Sequence, residues 1–453
     1  MFTIRYNSHN MKKTYLLSFY FYLAFTGFCF AQPNWPAIKS NATFLVADTS
    51  YAAPYIQPIQ VGGWEDGLNI TRDGKRLFST YLPADALSWI TDLLQNPYCF
   101  NFDPYYRGPL IGIDTLTNIF GCPNYMHSDI ITAYRPDTSL SFGAWTPSNL
   151  QTAFSFDGGA NGVLLNSDTF DVFVYTKDGV GTQSTDIMFM RNVPVNPSTT
   201  SAVSILSTSG QEDNPHIERI SGNQLVLIFD RDRYMHYSIS NDNGTTWQTP
   251  VLITNVLNDQ APYDVQPHLY NDGTDWWVYF CADNTSGIRC IYRSKQLIAN
   301  DWNSWGTKEL VLQPTGISGG HGNLMAIGEP TLTAWGDLSF VVVYGNTLTS
   351  DTTDVFDCDP WYMPKKHPVL TGMNASFKND FQLQVYPNPA QQTITISGGR
   401  AYTAPAEIRL YNALGVLIKT AYSSLPAQFS VEELPAGIYF LNTQGKMIKL
   451  IKQ

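Results

Sequence analysis

The sequence predicts an all-β chain: a ring of short-stranded sheets followed by a small β-sandwich. Three observations predict it. Aromatic and charged residues each make up 14% of the 453 residues, with 27 Pro and 33 Gly. That composition favours many short strands and turns over helical bundles. A strand-bearing pattern recurs through residues 60–365, and residues 381–453 then change to a basic segment of alternating apolar residues.

The chain opens on a targeting segment. Met11-Lys12-Lys13 gives a positive start, Tyr15 to Phe30 is apolar, and Cys29-Phe30-Ala31 offers small residues for cleavage. Residues 1–31 therefore read as a signal peptide. No other run reaches membrane-spanning length, so the mature chain is expected to be exported, soluble and without a transmembrane segment. The net charge is −11, and loss of the leader removes Arg5, Lys12 and Lys13. An acidic body of this kind excludes a nucleic-acid partner, because phosphate needs a basic face.

In the repeat, a polar residue is followed by Gly or Pro and then a strand: Asp66-Gly67-Leu68, Asn161-Gly162-Val163, Asn214-Pro215-His216, Gln266-Pro267-His268 and Glu329-Pro330-Thr331. A turn and a second strand follow each ("KRLFSTYL", "FDVFVYT", "NQLVLIFD", "DWWVYFCA", "LSFVVVYG"), and in most units a third, such as "DIITAYR" and "YMHYSIS". Units of about 50 residues with about four strands each predict a β-propeller, here over 32–375 with five blades. Residues 83–127 interrupt the first blade, and "ATFLVADTSY" near residue 42 is expected to close the ring beside the last.

"SNDNGTTW" follows the third strand of the third unit. With Ser240, Asp242, Gly244, Thr246 and Trp247 it resembles the Asp box (BNR repeat) of sialidases and related propellers. The resemblance implies a structural hairpin: side chains cap turn amides, Gly permits positive φ, and Trp packs between blades. "WEDGLNITRDGKRLF" also resembles the repeats of TolB-like propellers.

A propeller gathers the starts of its inner strands around one shaft. Asp66 and Glu329 are the candidate catalytic pair, because first and last blades are neighbours in a closed ring. Asn161, Asn214, His216, Gln266, His268 and His321 are expected to line the funnel. Five-bladed hydrolases of the arabinanase and xylosidase type place three carboxylates around such a funnel: a water activator, a proton donor and a residue that tunes the donor. Amides hold three of the matching positions here, so two rivals stay open. One is a non-catalytic carbohydrate-binding or adhesion propeller. The other is a polysaccharide lyase with His216 or His268 as base and Tyr263 as acid. Arg135, Arg191 and Arg293 recur on third strands and read as inter-blade ion pairs, which argues against sialidase chemistry. "DWWVYF" and "DPWYMP" are possible sugar platforms. No cofactor motif is present, and calcium in the channel is left open.

Cys281 and Cys290 could staple a hairpin, and Cys99 and Cys122 could close the insertion, leaving Cys358 over. After a linker at 376–380, residues 381–453 carry "YPNP", "LYNALGVLIKT", "LPAGIYFL" and a basic end. These resemble the C-terminal (type A) sorting domain of cargo of the type IX secretion system of Bacteroidetes. The resemblance implies the secretion machinery as a partner and a secreted or surface location.

Overall fold

The computed structural model describes residues 34–59, 61–83, 113–114, 125–150, 155–178, 184–254, 256–259, 264–317, 323–346, 355–366, 383–398, 406–412, 417–423, 426–443 and 446–453. Residues 1–31, expected as a signal peptide, most of 83–127 with Cys99 and Cys122, residues 376–380, expected as a linker, Tyr263 and His321 lie outside the described residues.

Strands dominate. The first sheet runs Trp64–Ile70, Arg76–Leu82, Asp129–Tyr134 and Thr146–Pro147, and the second runs Asp157–Asn166, Thr169–Asp178, Thr185–Pro194 and Val203–Ile205. The third comprises Glu212–Ser221, Gln224–Arg231, Tyr234–Ser240 and Val251–Leu252; the fourth comprises Val265–Asn271, Trp276–Asp283, Arg289–Lys295 and Glu309–Ile317. The fifth has Asn323–Leu332, Leu338–Asn346 and Val355–Met363, with Tyr55–Ile56 antiparallel on its outer side.

The second strand of each sheet explains the packing. Successive side chains in a strand point to opposite faces. Leu225, Leu227 and Phe229 pack on Val172, Val174 and Phe189 of the second sheet. Their neighbours Val226 and Ile228 face Leu269, Val278 and Phe280 of the fourth. Tyr279 and Cys281 then meet Ile327, Phe340 and Val342 of the fifth. Val341 and Cys358 meet Leu68, Leu77 and Ile131 of the first, whose Phe78 and Ile130 pack on Phe170, Phe173 and Tyr175 of the second. A strand buried on both faces has no polar side, so "QLVLIF" and "FVVVY" read as unbroken apolar runs. Sheets packed face to face around one axis make a β-propeller.

One expectation changes at the ring's seam. Ala42–Val46 pairs with Glu309–Ile317 of the fourth sheet rather than with the last one. The closing pair is Tyr55–Ile56, and Tyr51 bridges Lys365. The preceding helix Trp35–Ser40 delivers Lys39 between Asp357 and Asp359, at 2.7 Å from each carboxylate. All three side chains are buried, and this ion-paired anchor fixes the N-terminal segment to the fifth sheet.

The cysteine expectation is also corrected. Cys281, Cys290 and Cys358 are free, buried thiols. Cys281 stands opposite Ile291, and Cys290 opposite Ala282. A one-residue offset between antiparallel partners aims the two side chains at opposite faces. Cys358 instead donates to the Glu65 carbonyl at 3.2 Å.

The tail forms two antiparallel sheets. Leu383–Tyr386, Thr393–Gly398 and Ala427–Ser430 make one; Leu417–Ser423, Ala406–Asn412, Gly437–Thr443 and Lys446–Lys452 make the other. Ile394, Ile396, Leu410, Phe429, Leu441 and Leu450 share its core.

Candidate active site

Every inner strand breaks its ladder at one residue of positive φ: Gly67 (56°), Gly159 (57°), Asn214 (49°), Gln266 (60°) and Glu329 (54°). The pairing register shifts around each. These are bulges, which re-aim the side chains that follow. At Gly67 a Cβ would run into the Thr80 side chain. Asn214, Gln266 and Glu329 hold a conformation that costs an L-residue about 1–2 kcal/mol, and each precedes Pro.

The bulges set the true alignment of the repeat. The equivalent positions are Gly67, Gly159, Asn214, Gln266 and Glu329, so Asp66 lies one residue before the equivalent of Glu329. Asn161 lies two residues after its own bulge, level with His216 and His268. Residues from each bulge and the two positions after it line one narrow shaft of about 40 Å³. Such a volume holds water-sized guests, so a sugar ring would have to sit above the mouth.

The shaft has two tiers. In the lower, buried tier, each side chain accepts a hydrogen bond from a backbone N–H of the next sheet. Asn161 Oδ1 takes Ile217 N at 2.9 Å, His216 Nδ1 takes Leu269 N at 3.1 Å, His268 Nε2 takes Leu332 N at 3.0 Å, and Thr331 Oγ1 takes Ile70 N at 3.0 Å. The last bond closes the fifth sheet on the first. Both imidazoles are therefore neutral with the accepting nitrogen occupied, and they lie 3.8 Å apart between ring centroids. Burial holds both well below their ordinary pKa; Arg72 adds to this at His216, and His216 and then Arg72 at His268. This corrects the lyase expectation, since neither ring has its basic nitrogen free to take a substrate proton. Below them Arg72 pairs with Glu218 and donates to the Leu269 carbonyl at 3.0 Å, plugging the far end.

The upper tier holds carboxyl groups. Glu329 Oε2 accepts from Leu68 N at 2.8 Å and Oε1 from Gln266 Nε2 at 3.1 Å. Asp66 Oδ2 accepts from the Trp64 indole at 2.8 Å. Asp230 Oδ2 accepts from Asn214 Nδ2 and Gln266 N, both at 2.8 Å. Burial pushes Asp66 up to about 7 against the Trp64 hydrogen bond, with the Asp213 charge adding to the rise. Glu329 rises well above the carboxylate range through burial, then Asp66, then Asp213, outweighing its backbone donors. Asp230 is pushed up to about 7 by burial, and Asp213 itself is raised by burial. Glu329, Asn214 and Gln266 thus line the shaft, and Asp66, next to the lining residue Gly67, lies close enough for its charge to act on Glu329. Asp213, which the repeat already puts beside this ring of residues, and Asp230, which sequence reasoning missed, complete the cluster. Asp230 had no signal beyond its place opposite Asp213 on the neighbouring strand.

A further carboxylate recurs two residues before four of the bulges: Glu65, Asp157, Glu212 and Asp264, all fully buried. Glu212 takes Arg231 at 2.7 Å and Asp264 takes Lys308 at 2.7 Å. Among the described residues, no group of three or more His, Cys, Asp or Glu is arranged to hold a metal.

Other sequence expectations resolve into scaffold. In turn 240–247, Gly244 N donates to Ser240 Oγ at 2.8 Å, and Thr246 N and Oγ1 donate to Asp242 at 2.8 and 2.6 Å. These bonds hold Asp242 down to about 2. Gly244 has φ 80°, and Trp247 packs edge-on to Phe189 of the second sheet at 5.8 Å. The recurring arginines are not a set of inter-blade ion pairs. Arg135 donates to the Gly74 and Leu140 carbonyls and Arg191 to the Asn243 carbonyl, while only Arg293 takes carboxylates, Asp48 and Glu309. Trp361 and Tyr362 are buried at 4% and 5% exposure, so "DPWYMP" is no sugar platform. Trp276 packs against Trp302, and Arg293 covers Trp277 at 4.7 Å.

Residues 384–453 match the secretion system C-terminal sorting domain. The tail therefore marks the chain for export, to secretion or attachment at the outer cell surface, and implies contact with the secretion machinery. A search of curated proteins finds no match. Among solved structures, the chain is similar to the catalytic domain of a Coprinopsis cinerea GH62 α-L-arabinofuranosidase, with 9% identity, 69% of this chain and 95% of that chain covered, and TM-score 0.39. It is also similar to a Bacteroides ovatus xyloglucan-locus GH43 protein (9%, 88% and 91%, 0.38) and to a Bacillus licheniformis GH43 endo-arabinanase (9%, 67% and 96%, 0.37). At identities and TM-scores this low, the likeness carries no conclusion about reaction or ligand.

Proposed function

We propose that the protein is an exported five-bladed propeller that hydrolyses glycosidic bonds above the mouth of its shaft. The blades occupy 32–375, after a leader at 1–31 and before a linker at 376–380 and a sandwich-like sorting domain at 381–453. One arrangement carries the reading: Glu329, far from Asp66 in sequence, crosses the ring's seam to accept from Leu68 N at 2.8 Å, two residues beyond Asp66, and burial raises both carboxyl groups, with the Asp66 charge adding to the rise at Glu329. Carboxyl groups whose environments separate their pKa values divide into acid and base. Glu329 remains protonated and donates to the leaving oxygen. Asp66 ionises near neutrality and activates water. Burial keeps the donor's proton on, with the Asp66 and then the Asp213 charge adding to it. Turn 240–247 has a purely structural part.

A second reading has its own support. Both oxygens of Glu329 are gripped, by Leu68 N and by the Gln266 amide, which suits a ring-closing link in a non-catalytic saccharide-binding propeller. The deciding experiment incubates the parent protein and its Glu329→Gln and Asp66→Asn variants with short arabino-, xylo- and gluco-oligosaccharides and follows reducing ends. Turnover by the parent that both variants lose supports hydrolysis. Binding of an oligosaccharide with no turnover by the parent supports the second reading.

A further inference from the structure

Inner strands run from the mouth to the Arg72–Glu218 plug, so the hairpins that follow them lie at the closed end. Between hairpin 71–76 of the first sheet and hairpin 166–168 of the second is a cleft of about 280 Å³, roughly seven times the shaft's volume. Thr71, Lys75, Arg76, Tyr134, Ser167 and Asp168 line it. Its size lies just under the range of about 300–1,000 Å³ usual for small-ligand sites.

The lining has a distinctive balance. The Arg76 guanidinium lies 5.1 Å over the Tyr134 ring, and that ring is still 48% exposed. The Arg76 guanidinium feels the charges of Asp73 and Asp168, the two carboxylates of the cleft. Asp73 nearby accepts from Thr71 Oγ1 at 2.7 Å and Lys75 N at 3.1 Å, while Asp168 is exposed. Two cations, two carboxylates and two hydroxyls around an aromatic ring offer donors and acceptors without net charge. An anion entering would meet both carboxylates. A purely apolar guest would strand the polar groups. A neutral, hydroxyl-rich ring satisfies both signs and can reach the part of the Tyr134 side chain that Arg76 leaves exposed.

We propose that this cleft is a second saccharide site, for one neutral sugar ring, at the end of the propeller opposite the mouth. A polymer could then be held at the closed end while another part of it, or another chain, reaches the mouth. The inference stands on the cleft's own lining, independent of any chemistry at the shaft.

The test is affinity electrophoresis of the full mature chain through gels containing arabinan, xylan or xyloglucan, with polygalacturonate as an anionic arm. A Glu329→Gln background removes the proposed turnover, so mobility reports binding alone. Retardation by at least one neutral polysaccharide is expected, weakened about tenfold by Tyr134→Ala, as loss of an aromatic contact predicts. Asp168→Asn, at an exposed position that poses little risk to folding, is expected to weaken it in the same direction. Retardation unchanged by both substitutions overturns the proposal, as does retardation by polygalacturonate alone or by none of the gels. Hydrolysis of short oligosaccharides by the parent is a separate readout, so failure at the mouth and failure at the cleft are told apart.

Discussion

The two tiers of the shaft are built from the same five bulges yet do opposite work. In the lower tier, Asn161, His216, His268 and Thr331 each spend an acceptor on the neighbouring sheet. In the upper tier, Asp66, Asp230 and Glu329 have raised pKa values, and Glu329 also accepts with both oxygens, from Leu68 N and the Gln266 amide. The lesson is that position on the axis does not make a residue catalytic. A side chain whose lone pair belongs to the scaffold is a strut unless, as at Glu329, its protonation is also contested by charged neighbours.

The largest effect that would break this contrast lies at the mouth. Glu329→Gln is expected to cut turnover about 10²- to 10⁴-fold, with the urea midpoint unchanged or higher, because a crowded buried carboxyl is removed. A large drop in the midpoint would move Glu329 into the strut class. The reverse is expected below. His268→Ala leaves Leu332 N buried without its acceptor and should cost about 1–3 kcal/mol in chemical denaturation, with oligosaccharide turnover largely kept in the folded fraction.

The tiers should also titrate in opposite directions. Asp66 and Asp230 have folded values near about 7 against 3.8 when free. Between those limits the folded chain binds more protons than the unfolded one, so their contribution to stability falls as pH rises through that window. His216 and His268 lie well below 6.5 in the folded chain, so stability is lost as pH falls below 6.5. Between 3.8 and 6.5 the two sets therefore offset each other. Asp230→Asn should let denaturation midpoints rise with pH across that window, and His216→Leu should let them fall. The smallest effect is expected far from either tier: Asp242→Ala loosens turn 240–247, lowering the thermal midpoint slightly and leaving turnover unchanged.

Much of this was legible in the residues. The apolar second strands "QLVLIF" and "FVVVY" announced sheets buried on both faces, and the tail's motifs announced its destination. The ring was legible too, but its register was not. The pattern "polar residue, then Gly or Pro" aligned Asn161 with Asn214, whereas backbone φ aligns Gly159 with it. A better signal runs through "EDGLN", "DGGAN", "EDNPH", "DVQPH" and, with the acid lost, "IGEPT". It joins a buried carboxylate two residues before the bulge to a hydrogen-bonding residue two after. The closing pair Tyr55–Ile56 is too short to stand out, and Asp230 joined the mouth only through its partner strand. The fates of Trp361 and of the Cys281–Cys290 pair depended on which face each side chain took, which composition does not encode.

The seam has a consequence for how the chain comes into being. The edge of Val355–Met363 is covered by Tyr55–Ile56, Ile70 N waits for Thr331, and Lys39 waits for Asp357 and Asp359. A polypeptide emerging from its N-terminus keeps these earliest groups unmatched until almost the whole ring has been synthesised. The ring therefore cannot close until its last strand, Val355–Met363, is in place.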